Sequence, residues 1–168
     1  MPLYRIFSRP LSNVLFQGLG FGSSKGAPAP PPYPLLIWED DFESYADTAA
    51  MLAGEWSAPF GDIALDAGRL RLLSTDATAH AARAIPGVEI GDRIRITYDV
   101  KVFGFSAVEL RNAANSVTLA SGTISVGEGR TLDYTAVDTD SYTLRFRRNQ
   151  SSEEPFADNI IVENLGPL

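Results

Sequence analysis

The clearest signal along the chain is strict alternation of apolar and polar positions. From Asp92 to Phe103, Ile94, Ile96, Tyr98, Val100 and Val102 alternate with Arg93, Arg95, Thr97, Asp99 and Lys101. That is the period of a strand with one buried and one wet face. Ser141 to Arg148 repeats it, with Tyr142, Leu144 and Phe146 on one face and Thr143, Arg145 and Arg147 on the other. Further strands are predicted at 35–42, 69–73, 80–85, 106–111, 122–126, 130–137 and 156–163. Turn residues separate them, as at Pro86-Gly87, Gly91-Asp92, Asn112 to Asn115 and Gly127 to Gly129. Only Asp47 to Gly54 reads as a helix, two turns at most, with Asp47 as N-cap and Gly54 as the stop. Eight or nine short strands without alternating helices predict an all-β fold, an antiparallel two-sheet sandwich or a barrel.

The first 36 residues lack this period. They divide into an apolar, basic piece (MPLYRIFSRPLSNVLF), a glycine-serine hinge (QGLGFGSSKG) and a proline spacer (APAPPPYP). The spacer favours extended polyproline II, which holds its two ends apart. Tyr4, Ile6, Phe7, Leu11, Leu15 and Phe16 are too many large apolar groups for an idle tail, and they need a surface to lie on. The expected organisation is therefore an extended arm over 1–36 and a sandwich over 37–168. Docking of residues 1–16 onto another subunit is the expected use of the arm, with folding back on its own body as the alternative. A signal peptide reads less well, because Ser12, Asn13, Gln17, Gly18 and Gly20 interrupt the apolar stretch.

Charge sharpens the division. The net charge is −7, but residues 1–36 hold Arg5, Arg9 and Lys25 and no acid, so the remainder carries −10. A body this acidic argues against nucleic-acid binding, which needs a concentrated basic face. No apolar run approaches the roughly 20 residues that span a bilayer. With no cysteine and a single histidine, His80, thiolate chemistry and any mechanism needing two imidazoles are excluded. His80 has no nucleophile elbow beside it and reads as a strand residue at a face boundary.

The densest acidic stretch is WEDDFE, Trp38 to Glu43. In a strand, Trp38, Asp40 and Phe42 face one way and Glu39, Asp41 and Glu43 the other. Same-face neighbours lie about 7 Å apart, inside the range of glycosidase carboxyl pairs, so a glycan-active hydrolase stays open as an alternative. A hard cation is better served, since calcium takes about six to eight oxygens, and Asp158 and Asn159 lie on the last strand. The competing reading is that Asp41 and Asp158 cap strand ends or pair with Arg83 or Arg148.

Two end motifs carry a resemblance. The opening Asp40-Asp41-Phe42-Glu43-Ser44-Tyr45 leads through an alanine-rich segment to Gly54 and Trp56, and the chain closes on Phe156-Ala-Asp-Asn-Ile-Ile-Val162. This pattern resembles the jelly-roll modules related to carbohydrate-binding modules and concanavalin-like domains, over about residues 36–165. The resemblance implies a two-sheet sandwich whose first and last strands pair, with a structural calcium held by Glu43 and Asp158 and, less directly, Asp41. It transfers no glycan-binding residues.

Sugar-binding faces set aromatic rings beside a few polar groups. Trp56, Tyr45, Phe103, Phe105 and Tyr134 are the candidates, while Tyr98, Tyr142 and Phe146 fall on core positions. The outer set Arg93, Arg95, Lys101, Arg145 and Arg147 reads as a solvated face paired with acids, with an anionic polymer as the alternative partner. The layout of apolar arm, spacer and displayed sandwich resembles small decoration, fibre or adhesin proteins of tailed bacteriophages. It implies a non-enzymatic adhesion protein at the virion surface, docked to capsid or tail proteins, in contact with a cell-surface glycan and commonly trimeric. A secreted carbohydrate-binding module is the alternative.

Overall fold

In a computed structural model, residues 32–73, 78–149 and 153–168 are described. The expectations for residues 1–31, including the docking role of Tyr4, Ile6, Phe7, Leu11, Leu15 and Phe16, lie outside them.

The alternating segments form two antiparallel sheets. One contains β1 (Leu35–Asp40), β3 (Ile63–Leu65), β4 (Leu70–Leu72), β6 (Asp92–Val102), β9 (Gly127–Thr135) and β11 (Phe156–Pro167). Its order is β3-β4-β11-β6-β9, with β1 also pairing to β11. The other runs β2 (Trp56–Phe60), β5 (Thr78–Val88), β10 (Asp140–Asn149), β7 (Ala107–Arg111), β8 (Thr118–Gly122). First and last strands do pair, with Trp38 opposite Val162 and Asp40 opposite Ile160. The helix α1 spans Thr48–Ala53, and the Asp47 side chain accepts from the Ala50 N–H at 2.8 Å.

The core lies between the sheets and follows the alternation. Ile94, Ile96, Tyr98 and Val100 from β6 meet Leu144 and Phe146 from β10, all fully buried. Phe146 is its aromatic centre, with ring centroids 5.4 Å from Phe105, 5.8 Å from Tyr98 and 6.3 Å from Trp56. Such tilted and edge-on contacts add to the area term for burying large rings.

Three local departures have physical causes. β1 ends at Asp40 instead of Phe42 because Phe42 takes a left-handed backbone, φ 62°. Two carboxylates hold that turn: Asp40 Oδ1 accepts from Phe42 N and Asp41 Oδ1 from Glu43 N. Gly127 to Gly129, read as a turn, instead opens β9, bulged against β6 between Tyr98 and Val100. The strand expected at 122–126 is β8, Thr118–Gly122, which ends where the expected one begins. Gly122 sits over Tyr98, and a Cβ there would run into the Tyr98 hydroxyl, which donates to Thr123 O at 2.7 Å. The strands β2 and β3 have no counterpart in the alternation pattern; Pro59 and Gly61 interrupt the signal around them.

One cluster joins the two sheets. Asp40 of β1 accepts, on Oδ2, from Trp56 Nε1 at 2.7 Å, Arg83 Nη1 at 2.7 Å and Tyr45 Oη at 2.9 Å. Arg83 also pairs with Glu55, and its guanidinium lies 4.0 Å from the Trp38 ring centroid. Removing one member of a buried pair leaves the other charge uncompensated, at a cost of about 3–5 kcal/mol. Asp40→Ala is therefore expected to destabilise the sandwich by that amount in urea unfolding. Asp40→Ala/Arg83→Met should lose clearly less than the sum of the single changes, and strict additivity would refute the coupling. Gly122→Ala should cost about 1–3 kcal/mol by overpacking against Tyr98, and a neutral result would show that the ring yields freely.

Candidate functional site

The residues expected to stack on sugars do not form a binding face. Trp56 and Phe105 are each 2% exposed and belong to the core. Trp56, at the start of β2, points inward and meets Phe42, and Phe105, on the connection between β6 and β7, packs against Phe146. Tyr134 is half-buried and packs edge-on against Tyr142, 5.7 Å between centroids. Tyr45 is half-buried and committed to Asp40, and burial with the Asp40 hydrogen bond pushes its phenol up to about 12. Phe103 is exposed, as expected, but Phe60 is the exposed ring that the pattern missed, 62% open on β2.

The expected calcium ligands are not gathered either. Among the described residues, no group of three or more histidine or acidic side chains is placed to hold a metal ion. Asp41 turns to the Glu43 backbone, and Glu43 lies over Gly68. Asp158 accepts from its neighbour Asn159 N and lies 3.8 Å from Arg69. The strand alternation that would have aligned these acids stops at Phe42, and a cation already sits beside Asp158. Arg83 and Arg148 do not pair with them: Arg83 binds Asp40 and Glu55, and Arg148 donates to Glu153 O and Leu73 O.

Beside the Asp40 cluster opens a cleft of about 680 Å³, lined by Glu39, Asp41, Tyr45, Glu55, Arg83 and Asn159 among others. It is wide and acidic. Asp40 itself is bound by four donors across its two oxygens, so it acts as a fixed anion that orients Trp56 and Arg83.

A different surface gathers polar chemistry. On the outward face of the five-stranded sheet, register sets Ser57, Ala82, Arg145, Glu109 and Ser121 in one row across five strands. A parallel row runs Phe60, His80, Arg147, Ala107. Arg145 donates through Nε to Glu109 Oε2 at 2.8 Å, and also through Nη2. Thr118 Oγ1 donates to Glu109 Oε1 at 3.1 Å, and Arg111 Nη1 donates to Thr118 Oγ1 at 2.6 Å. Arg111 Nε reaches Asn115 O, which folds the 112–118 turn against this face. Burial pushes the Glu109 carboxyl up, but the Arg145 hydrogen bond and charge outweigh it and hold it below the ordinary value. Burial and Arg145 together lower Arg111.

His80 is the unusual member. It is 7% exposed, both ring nitrogens are buried without a hydrogen-bond partner among the described residues, and the Phe60 ring packs on it at 5.1 Å. Burial, then the charges of Arg145 and Arg147, drive its pKa down to about 4. It is a neutral imidazole set among guanidiniums, on the outward face rather than at a boundary.

The outer cations divide between the two sheets. On β6, Arg95 pairs with Asp133 and Lys101 with Asp99 and Glu128, while Arg93 donates to the carbonyls of Leu165 and Gly166. On β10, Arg145 pairs with Glu109 and Arg147 with no carboxylate among the described residues, its Nε reaching only Ser106 Oγ at 3.3 Å. The reading of a solvated face paired with acids therefore holds for Arg95, Lys101 and Arg145 and fails for Arg147.

The chain shares its fold, a two-sheet antiparallel β-sandwich, with solved structures of low sequence identity. By structure it is similar to the CBM22-1 xylan-binding domain of Paenibacillus barcinonensis Xyn10C, at 12% identity and a TM-score of 0.53, over 80% of this chain and 97% of that domain. It is also similar to the enzymatically active domain of tailspike protein 4 of bacteriophage CBA120, at 12% identity and a TM-score of 0.51, over 66% of this chain. The chain spans about a fifth of the tailspike structure's length, 19%. No family model and no curated protein matches the sequence.

The buried imidazole yields a pH prediction. Unfolded, it titrates near 6.5; folded, near 4. Between these values the unfolded chain binds more protons, so the contribution of His80 is complete above about pH 6.5 and is lost as pH falls toward 4. The melting temperature of the native chain should fall across that window more steeply than that of His80→Phe. Parallel profiles would show that the imidazole is not held neutral.

Proposed function

We propose that the sandwich is a non-enzymatic glycan-binding module. The observation that carries this reading is the outward face of the five-stranded sheet, which bears an exposed Phe60 on β2 and, across β5, a fixed and largely buried network of Glu109, Arg145, Arg111 and Thr118 on β10, β7 and β8. An aromatic platform next to a few oriented polar groups is the general form of a sugar site. The fold shared with a xylan-binding domain supports the reading. The network is already paired without ligand, so little ordering cost remains on binding.

The finer reading is that this module is displayed on a bacteriophage particle as a decoration, fibre or adhesion protein, with residues 1–16 docked to capsid or tail proteins. Its support is the sequence, a basic apolar arm and proline spacer ahead of an acidic body, together with a likeness of fold to part of a phage tailspike. Assembly as a trimer remains a part of the proposal that rests on resemblance alone. No helix among the described residues is long and apolar enough to cross a membrane.

Two measurements test these readings. On a glycan array the full chain should bind, and Phe60→Ala should weaken that binding about tenfold, roughly 1.4 kcal/mol; an array without binders would remove the glycan reading. In material from its source, the chain should retain Met1 or Pro2, with residues 3–16 protected from protease only within the particle. A mature N-terminus near Ala29 would instead favour a secreted module.

A further inference from the structure

We propose that the glycan taken by this face is acidic: a chain of uronate-type sugars whose carboxylate pairs with Arg147 while a neighbouring ring lies on Phe60. The inference rests on the glycan-binding reading above and names the class of its ligand.

Four observations converge. Across β5, β10 and β7 the outward face carries Arg111, Arg145 and Arg147 against a single acid, Glu109. Yet residues 37–168 as a whole carry −10. A local excess of positive charge on an acidic body attracts an anionic ligand to that face alone.

The cations are not equivalent. Glu109 neutralises Arg145 and reaches toward Arg111, with Arg111 Nη1 3.5 Å from Glu109 Oε2. Arg147 lies across the strand pair from His80, half-buried and without a carboxylate partner among the described residues. A guanidinium presents a planar fork that matches a carboxylate with two parallel hydrogen bonds.

No carboxylate among the described residues meets the Arg147 fork, whose Nε reaches only Ser106 Oγ. His80 beside it is nine-tenths buried, and neither of its ring nitrogens has a partner among the described residues. As a neutral ring it supplies no counter-charge, and it supports the Phe60 ring at 5.1 Å. Phe60 and Arg147 lie on the same row, two strand spacings or about 10 Å apart. Exposed Ser57, Ala84, Thr118 and Ser121 border this face, leaving it open at its rim.

The charge density selects among anions. One uncommitted cation beside an aromatic platform suits a carboxylate borne on a sugar ring. A densely sulfated chain or a nucleic acid gains its affinity from several adjacent unpaired cations, whereas two of the three arginines on this face are engaged by Glu109.

The test compares two linear probes of equal length by calorimetry on the full chain: hexagalacturonate, with a carboxylate on each ring, and neutral xylohexaose. The uronate should bind at least about tenfold more tightly at low salt and weaken several-fold between about 50 and 500 mM NaCl. Arg147→Ala should remove most of that preference with an unchanged melting temperature, and Arg147→Lys should keep part of it. Phe60→Ala should weaken both probes. If xylohexaose binds as tightly and Arg147→Ala changes neither affinity, the acidic class is wrong while glycan binding stands. Tighter binding of a sulfated heparin hexasaccharide than of the uronate would also overturn the assignment. If no glycan binds at all, the glycan reading falls and this one with it.

Discussion

The Asp40 to Arg83 pair is the constraint on which the sandwich closes. β1 belongs to one sheet and β5 to the other, and the pair links them at the edge where no backbone ladder can. Two charges in a poorly hydrated site are tolerated only when their remaining hydrogen-bonding capacity is met. Here Asp40 takes Trp56, Tyr45 and the Phe42 amide, and Arg83 takes Glu55 and the Trp38 ring. The same anion ends β1, fixes the core indole and stacks a guanidinium on the rim indole. That is why the densest acidic stretch of the chain serves architecture before chemistry.

The two outward faces then take on different characters. On the six-stranded sheet, cross-strand partners neutralise Arg95 and Lys101. On the five-stranded sheet a single glutamate is shared among arginines, and burial and like charge both oppose protonation of His80. A face with organised donors and one exposed ring is suited to recognising a polar, ring-shaped ligand, whereas a face of matched ion pairs mainly keeps the protein soluble and its sheets from associating.

The alternation of β6 and β10 made their inward residues legible. Ile94, Ile96, Tyr98, Val100, Tyr142, Leu144 and Phe146 are all buried as their period requires. The helix cap at Asp47 was legible because capping chemistry is local, and the pairing of first and last strands was implied by the resemblance that the end motifs carry. Candidate site residues were far less so. Trp56 and Phe105 are aromatic whether they stack on a sugar or on Phe146, and no local pattern around them separates the two uses. Phe60 and His80 went unrecognised because their strands are short or alanine-rich and give little alternation. A signal was present only in the composition of His80's surroundings, small residues on either side that leave room for a ring.

The sequence by itself determined an all-β fold of short strands with a compositionally distinct N-terminal segment, since strand period and charge segregation are properties of neighbouring residues. Only the tertiary structure decided which carboxylate meets which cation. Asp40 finds Arg83 from 43 positions away and Glu109 finds Arg145 from 36. Register, set by the packing of whole strands, makes those choices, and a one-residue slip would send every partner to the opposite face. The same register left Arg147 without a carboxylate beside an uncharged imidazole, a juxtaposition that no single stretch of the chain contains.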